Sequence, residues 1–477
     1  MEKFDLAVIG GGVGGLVAAS GASQLGARVA LVEKERLGGD CLHYGCVPTK
    51  ALVQSARLIS LMHRSEEFGL NPVKVNFEFK KIMERMRAIQ KKIGEHDAPE
   101  RFEKMGIKLF FGRGEFKDIH KFDVDGTSIM SKKFLIATGS RPVRLPIPGL
   151  DKVDYLDNIG ILAANELPES LLVLGAGPIG MEFAQVFNRF GSKVTVIEKA
   201  GQILPREEKE LSEILDRILK KEGMEIVTCV ETKRIEQSGN KKVLVAECSG
   251  REKIFEADEL LVAIGRAPNI EGLNLDKIGV QTTRRGIVVD DAMRTTANNI
   301  WACGDVTGIF PFTHMAEYEA GIVVSNALFP LVNRKIDKDV VPWTTFTDPE
   351  FARVGLTESE AKERYGEENI RVYRYPFSEH DRAIIDMETE GLIKLVCNQK
   401  GKLLGAHILG IGAGDLINEY IFAMKNGLPV QKISGTVHVY PTMGQIIKRG
   451  ADQYYKEKLF SGWFPKFARF LIRSGMN

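Results

Sequence analysis

The chain opens on short apolar runs that flank a glycine-rich turn. Residues 4–9, FDLAVI, form a run typical of a strand buried on both faces, and a second run, RVALVE, ends at Glu33. Gly10, Gly12 and Gly15 lie between them, followed by a helical stretch of small residues. This order predicts a βαβ unit whose glycines admit a pyrophosphate at the helix N-terminus, with the terminal acid accepting hydrogen bonds from a ribose.

The same pattern returns 165 residues later. The run LLVL precedes Gly175, Gly177 and Gly180, and the strand KVTVIE ends at Glu198. Two chance glycine-rich turns do not explain a shared register over so many positions. The sequence therefore predicts two dinucleotide-binding domains in tandem.

The rest of the pattern divides the chain further. Residues 51–112 are helical and charged, residues 113–133 alternate as a small antiparallel meander, and the prolines of residues 142–150 mark a boundary. From about residue 342 the strands look antiparallel, with helices at 357–365 and 413–426. We therefore expect an α/β protein with two tandem Rossmann-like domains and a C-terminal α+β dimerisation domain. The predicted order is an FAD-binding domain (1–152), a nucleotide-binding domain (153–268), a return to the FAD-binding or central domain (269–340), the dimerisation domain (341–450) and a tail (451–477).

Composition narrows the class of protein. A chain of 477 residues is too long for one core, and 44% hydrophobic with 27% charged residues is ordinary for a globular protein. A net charge of +2 makes no case for nucleic acid, and no apolar run is long enough to span a membrane. The N-terminus runs straight into a strand, so we expect no signal peptide. Six cysteines do not suit a secreted disulfide scaffold, so we expect the cytoplasm, and we predict no resident metal site.

Two cysteines are candidates for chemistry. Cys41 and Cys46 are separated by four residues, with Gly38 and Gly39 before them and Pro48 after them. On a helix they are close enough to be bridged with modest distortion, and a disulfide closing so short a loop adds little stability. Such a bond is suited to being broken and remade, and a helix N-terminus favours a thiolate. On spacing alone, two unrelated buried thiols remain an alternative.

The motifs together point to a known family. The runs GGDCLHYGCVPTK, ATGSRP, AIGRAPN, CGD, FTDPEFARVGLT and VHVYPT, with the two glycine motifs, resemble the flavin-dependent pyridine nucleotide–disulfide oxidoreductases. That family includes dihydrolipoamide dehydrogenase, glutathione reductase and mercuric reductase. The resemblance implies FAD on the first unit, a pyridine nucleotide on the second, and a homodimer whose subunits complete each other's active sites. We expect NADH, because Glu198 would repel a 2′-phosphate, although Lys199 and Arg206 leave NADPH open.

The resemblance also assigns roles. It implies that Cys46 lies against the flavin, that Cys41 meets the acceptor, and that Lys50 lies near the flavin ring with Glu182 as its ion-pair partner. For each of the two charged residues, an ordinary helix-surface charge is the alternative. Asp305 is similar to the acid that holds the ribityl chain, and its alternative is an N-cap for the following helix. The cofactor-binding residues expected are Gly10, Gly12, Gly15, Glu33, Lys34, Gly39, Thr138, Gly139, Asp305, Gly175, Gly177, Gly180, Glu198 and Gly265.

One segment departs from the disulfide-reducing members. Tyr440 occupies the position of the family's acid–base histidine and Gln445 that of its glutamate, whereas His438 comes two residues early and is expected to be structural. Mercuric reductase also has tyrosine there, but it ends in a vicinal cysteine pair, and this chain's last cysteine is Cys397. We also expect no N-terminal metal-binding domain. We therefore predict an NAD(P)H-dependent FAD oxidoreductase with a redox-active Cys41–Cys46 pair, Tyr440 at its catalytic site, and a soft metal ion or small molecule as acceptor.

Two other readings stay open. One is a dihydrolipoamide dehydrogenase with altered acid–base residues, and the other is a flavin-bound redox sensor or tethering subunit. The tail is aromatic and basic, which suits a membrane surface or an acidic partner, or alternatively packing on the protein's own dimer. Its residues of interest are Trp463, Phe464, Phe467, Phe470 and Leu471 with Lys466, Arg469 and Arg473. We expect the remaining cysteines, Cys229, Cys248, Cys303 and Cys397, to be small core hydrophobes.

Overall fold

The computed structural model describes residues 2–248, 250–461 and 464–474. Its N-terminal part holds one βαβ unit, two helices that carry Cys41 and Cys46, and a small antiparallel meander. The elements are β1 (Lys3–Phe4), β2 (Leu6–Ile9), α1 (Val13–Gln24), β3 (Val29–Glu33), α2 (Gly39–His43), α3 (Cys46–His63), α4 (Phe79–Gly94), α5 (Pro99–Lys104), β4 (Lys108–Phe111), β5 (Gly114–Asp118), β6 (Lys121–Val124), β7 (Thr127–Ser131), β8 (Phe134–Ile136) and β9 (Ser140–Pro142). The antiparallel pairing of β5, β6 and β7 confirms the predicted meander.

The second βαβ unit follows. Its elements are α6 (Asn158–Leu162), β10 (Ser170–Leu174), α7 (Pro178–Phe190), β11 (Lys193–Ile197), α8 (Lys209–Lys221), β12 (Glu225–Val227), β13 (Val230–Ser238), β14 (Lys241–Cys248), β15 (Arg251–Ala257), β16 (Glu259–Val262) and β17 (Arg266–Pro268). Strands β12, β11, β10 and β16 form a parallel sheet in that order, and β13–β15 form an antiparallel sheet. The two units are also joined, because β17 pairs antiparallel with β9.

The chain then returns to the first sheet. This part holds β18 (Thr282–Thr283), β19 (Gly286–Ile287), β20 (Ile300–Ala302) and α9 (Thr313–Leu328). The first sheet is parallel with the order β20–β8–β2–β3–β4, and every residue of β2 is buried. A strand covered on both faces must be apolar throughout, which is why LAVI shows no alternation. The strand is shorter than the predicted run FDLAVI, because Phe4 belongs to β1, which pairs with β7 in another sheet. Helix α9 packs on α1 and places its N-terminus near the start of α3.

The C-terminal part is built on an antiparallel sheet. Its elements are β21 (Pro342–Thr345), β22 (Glu350–Gly355), α10 (Glu358–Tyr365), β23 (Ile370–Pro376), α11 (Asp381–Ile385), β24 (Leu392–Asn398), β25 (Leu403–Gly410), α12 (Ala413–Leu416), α13 (Asn418–Lys425), α14 (Val430–Ser434), α15 (Gln445–Phe460) and α16 (Phe464–Arg473). The strand order is β21–β22–β25–β24–β23. Two parallel sheets followed by this sheet confirm the predicted fold class, while the domain boundaries stay predictions. Within the described ranges, no helix is both long and apolar enough to cross a membrane.

The repeat extends to individual hydrogen bonds. Glu33 accepts from the backbone N–H of Gly11 at 2.7 Å, and Glu198 accepts from that of Ala176 at 2.7 Å. The second oxygen of each carboxylate accepts from the residue two positions on, at 2.9 Å in the first unit and 2.7 Å in the second. In both units the terminal acid therefore fastens the glycine turn to the end of the second strand.

Candidate active site

The two cysteines of the redox segment, residues 36–50, lie on separate helices. Cys41 is in α2 and Cys46 is the first residue of α3, because the chain breaks at Tyr44 and Gly45. Both thiols are free and lie within hydrogen-bonding contact of each other. The N-terminus of an 18-residue helix beneath Cys46 favours a thiolate there.

The surroundings of the pair separate the two thiols electrostatically. The hydrogen bond from Cys41 is the main factor that lowers the pKa of Cys46, to about 6, helped by the positive charge of Lys50 and by Thr313. The same hydrogen bond, together with burial, raises the pKa of Cys41 well above that of an ordinary thiol. The hydroxyl of Thr313, at the start of α9, lies 3.5 Å from the Cys46 sulfur. The reduced pair therefore holds one negative charge, on Cys46.

An ion pair crosses between the first unit and the second. The Lys50 ammonium donates to Glu182 at 2.7 Å, and the other oxygen of that carboxylate accepts from the Phe346 backbone N–H at 2.9 Å. Lys50 also lies 4.5 Å from the centre of the Phe346 ring. The carboxylate is only 6% exposed, so a helix-surface charge does not describe it. The predicted ion pair is present, and its role at a flavin ring stays a prediction.

A polar cluster surrounds Asp305. The Ser140 hydroxyl donates to its carboxylate at 2.5 Å, and the Arg266 guanidinium, 3.8 Å away, also reaches Asp40 at 3.2 Å. Burial raises the pKa of Asp305. The N-cap alternative is wrong, because Asp305 lies inside a short 3₁₀ turn, Gly304–Thr307, and the long helix that follows begins only at Thr313.

Four of the residues expected to hold FAD line one cleft, whereas Gly12, Gly15, Gly39, Gly139 and Asp305 lie outside its lining. A cleft of about 680 Å³ brings Gly10, Glu33, Lys34 and Thr138 together at the carboxyl edge of the first sheet. A Cβ on Gly39 would lie 2.7 Å from the Gly12 Cα, and a Cβ on Gly15 would lie 1.9 Å from the Gly10 carbonyl oxygen. Both loops therefore need glycine to close around the N-terminus of α1, and this geometry fits a bound dinucleotide. Gly139, on the loop after Thr138, has a left-handed φ of 69°.

The second unit repeats this arrangement. A Cβ on Gly180 would lie 2.0 Å from the Gly175 carbonyl oxygen, whereas a Cβ on Gly177, at the start of α7, would meet nothing within 4 Å. Open space above the backbone at Gly177 leaves room for a phosphate to approach. Gly265, with a φ of 129°, continues the loop after β16. These positions fit a nicotinamide nucleotide.

The Tyr440 segment lies on the surface of the single chain. Tyr440 is 61% exposed and, among the residues described, forms no hydrogen bond with Cys41 or Cys46. Gln445 begins α15. The His438 ring bonds to the carboxylate of Glu419 at 3.1 Å and to the Thr436 carbonyl at 3.0 Å, as expected for a structural histidine.

The remaining cysteines follow the prediction only in part. Cys303 and Cys397 are buried, but Cys229 is exposed and Cys248 half-buried, so the core assignment is wrong for Cys229 and incomplete for Cys248. Cys229 lies in a turn with a left-handed φ of 58°, outside the strand that begins at Val230. An apolar sequence around a cysteine does not reveal that the chain turns there.

Several contributors were not assigned from the sequence. Arg266 and Ser140 belong to the runs AIGRAPN and ATGSRP, and the similarity of these runs is the sequence signal that could have identified them. In the structure the two runs pair as antiparallel strands. Asp40, next to Cys41, could likewise have been identified from its place in the run GGDCLHYGCVPTK. Thr313 and Phe346 carry no local signal, because each reaches the site from a distant part of the chain.

Comparison with known proteins shows which family the chain is similar to. Residues 4–320 match the family model described as pyridine nucleotide-disulphide oxidoreductase, and residues 341–451 match its dimerisation domain. The chain is 36% identical over 456 residues to a mercuric reductase of Staphylococcus aureus, covering 95% of this chain and 83% of that protein. It is 37% identical over 459 residues to a dihydrolipoyl dehydrogenase of Geobacillus stearothermophilus, covering 94% and 96%.

Solved structures agree. The HOCl-induced flavoprotein disulfide reductase RclA from Escherichia coli superposes with a TM-score of 0.84 at 31% identity, covering 94% of this chain and 99% of that one. Its Cu(II) complex gives 0.84 at 30% identity, covering 95% and 100%. The chain therefore belongs to the pyridine nucleotide–disulphide oxidoreductases, as an FAD- and NAD(P)H-dependent oxidoreductase that carries the family's dimerisation domain.

Proposed function

We propose that the protein passes electrons from NADH, through FAD and the Cys41–Cys46 pair, to a soft metal ion. The observation that carries this proposal is a polarised dithiol, with Cys46 as thiolate, in a chain that has Tyr440 and Gln445 in place of an acid–base pair. A mercuric reductase among the relatives and a neighbour solved as a Cu(II) complex support the same class of acceptor.

The residues have separable tasks. When bound, FAD supplies the two-electron transfer between nicotinamide and the cysteine pair. Lys50, held by Glu182, places a positive charge beside Cys46. Asp305 and Arg266 present polar groups at the carboxyl edge of the first sheet, where the ribityl chain is expected.

At the acceptor, the two cysteines supply all the electrons that the metal ion would need. Cys41 and Cys46 would bind the metal ion as thiolates, and the Cys41 proton would go to solvent. One Hg(II) ion would gain two electrons, or two Cu(II) ions would gain one each, while the two sulfurs lose two electrons and close to a disulfide. Thiolates are the ligands that soft ions prefer, and this route needs no proton for a leaving thiol.

Tyr440 is expected to reach this site from the partner subunit. The dimerisation domain supports a homodimer. Val437 and Val439, beside Tyr440, are 94% and 74% exposed in the single chain. Such exposed apolar side chains on a dimerisation domain suit an interface that completes the site.

The test is an acceptor panel. Purified holoenzyme is assayed for NADH consumption with thiol-complexed Hg(II), Cu(II), lipoamide and oxidised glutathione. We expect metal-dependent turnover and slow disulfide reduction, because the family's acid–base histidine and glutamate are replaced by Tyr440 and Gln445, and general acid–base help is worth about 10²- to 10⁴-fold. Tyr440→His with Gln445→Glu should raise lipoamide turnover selectively.

A dihydrolipoamide dehydrogenase is the second candidate, favoured by a relative that matches over 96% of its own length. Wild-type lipoamide turnover at the rate of a dedicated dehydrogenase would establish it and reject the metal acceptor. If none of the acceptors supports NADH consumption, the result would instead favour a redox sensor or tether. The cytoplasm remains our proposed compartment.

We also propose that the tail contacts an anionic membrane surface. On α16, Phe467 (44% exposed), Phe470 (66%) and Leu471 (40%) share one face of the helix, and the basic residues Lys466, Arg469 and Arg473 flank that face. Trp463 lies outside the described residues. A chain ending at Ser461 should keep its FAD and dimer but lose sedimentation with phosphatidylglycerol vesicles. Loss of the dimer or the FAD would instead identify the tail as packing on the protein itself.

A further inference from the structure

Three rings stack beside the N-terminus of α9. The Phe312 ring lies 5.5 Å from His314 with planes 10° apart, and 5.5 Å from Trp343 with planes 14° apart. We refer to Phe312, His314 and Trp343 as the aromatic stack. The His314 ring also bonds to the Pro342 carbonyl at 2.8 Å, so α9 is joined to β21 twice.

One end of the aromatic stack is anchored in the nucleotide-binding unit. The Trp343 indole N–H donates to Glu207 at 2.5 Å, and the Arg353 guanidinium lies 4.7 Å from the Trp343 ring centre. Glu207 is 6% exposed, and its second oxygen has no hydrogen-bond partner among the residues described. Burial raises the pKa of Glu207 to about 7, against the opposing effects of the Trp343 bond and of Arg353. Because the buried Glu207 carboxyl group accepts the Trp343 indole N–H, rotating the indole would leave that carboxyl group without a hydrogen bond, and the ring is therefore held in one orientation.

The other end reaches the thiolate. Thr313 lies between Phe312 and His314 in sequence, so fixing both rings fixes its backbone. Its hydroxyl is 3.5 Å from the Cys46 sulfur, and a hydroxyl that donates to a thiolate stabilises the charged form. Contacts thus connect Glu207 to Trp343 and Trp343 to Phe312, and the next residue, Thr313, contacts Cys46.

We infer that Trp343 and Glu207 are positioning residues that set the ionisation of Cys46 through Thr313. Neither residue touches the cysteines, and Glu207 lies 161 positions from Cys46 in the chain. These contacts join the second βαβ unit, the C-terminal antiparallel sheet and α3. It rests on the proposed place of Cys46 beside the flavin.

The experiment measures Cys46 ionisation in the dimeric holoenzyme. After two-electron reduction, the long-wavelength absorbance of a thiolate beside oxidised flavin is followed against pH. Thr313→Val removes the hydroxyl and should weaken ionisation about tenfold. Trp343→Leu should give a similar loss, and Glu207→Leu a smaller one. Glu207→Gln keeps an acceptor for the indole and should restore the wild-type value.

The matched control is Tyr373→Leu, which removes another mostly buried ring of the same sheet that packs on Tyr454 instead. It should lower the melting temperature without moving the ionisation. If Trp343→Leu loses its FAD, Trp343→Phe replaces it, because phenylalanine keeps a ring but lacks the N–H. The inference is overturned if Cys46 ionises as in wild type, within error, in both Trp343→Phe and Glu207→Leu. An equal shift in Tyr373→Leu overturns it too. Absorbance that persists in Cys46→Ser would reject the proposed role of Cys46 instead.

Discussion

Replacing Lys50 by methionine should move the ionisation of Cys46. The pKa of Cys46 is lowered to about 6, and the Lys50 charge is the second largest lowering effect after the bond from Cys41. Methionine keeps an apolar stem of similar length for the Phe346 ring, 4.5 Å from the ammonium, and removes the charge.

The size of the effect follows from this environment. Lys50 is 33% exposed, so solvent screens part of its field, and we expect the pKa of Cys46 to rise by about one unit, or about 1.4 kcal/mol. At pH 7 the thiolate fraction would then fall from about 90% to about 50%. Glu182→Gln gives the opposite sign, because the Glu182 charge raises the pKa of Cys46.

The assay is a pH titration of the thiolate, by long-wavelength absorbance and by the rate of alkylation with iodoacetamide. Lys80→Met, an exposed lysine on α4, serves as the control for surface charge. Equal and same-signed shifts in Lys50→Met and Glu182→Gln would refute the electrostatic reasoning. So would an unchanged ionisation in Lys50→Met with FAD retained.

Three further predictions concern the site and its support. Cys46→Ser should abolish the long-wavelength absorbance of reduced enzyme while Cys41→Ser keeps a thiolate at the flavin, and the reverse pattern would exchange the two roles. NADH should have the higher kcat/KM, because Glu198 ends the second strand of the second unit; a clear NADPH advantage contradicts this. Burial raises the pKa of Glu319 to about 7, so its contribution to stability is complete below about pH 4.5 and is lost as pH rises through 7. Glu319→Gln should therefore gain more stability relative to wild type at pH 8.5 than at pH 5.5, measured by guanidinium denaturation, and a constant difference would show that Glu319 does not titrate there.

The sequence by itself determined the two βαβ units and the antiparallel C-terminal part, and through the family resemblance it predicted Cys41 and Cys46 as the redox pair. These features are local: the glycine turn, the buried strand and the closing acid all lie within about 25 residues, and each is selected by backbone sterics or by burial on both faces of a sheet. Repetition of the same markers removed the remaining ambiguity. The Lys50–Glu182 pair was also found, through the family's motif order rather than through periodicity.

Only the tertiary structure decided which distant side chains meet. Thr313 lies 267 positions from Cys46, and Trp343 lies 136 from Glu207, yet both pairs are in contact. Nothing in the local pattern near Thr313 or Trp343 distinguishes them from ordinary residues at a helix start or a strand. Their positions follow from the way the antiparallel sheet packs against both βαβ units. Likewise, the turn that exposes Cys229 and the break that puts Cys41 and Cys46 on separate helices arise from backbone geometry, because residue type alone restricts φ and ψ without fixing them.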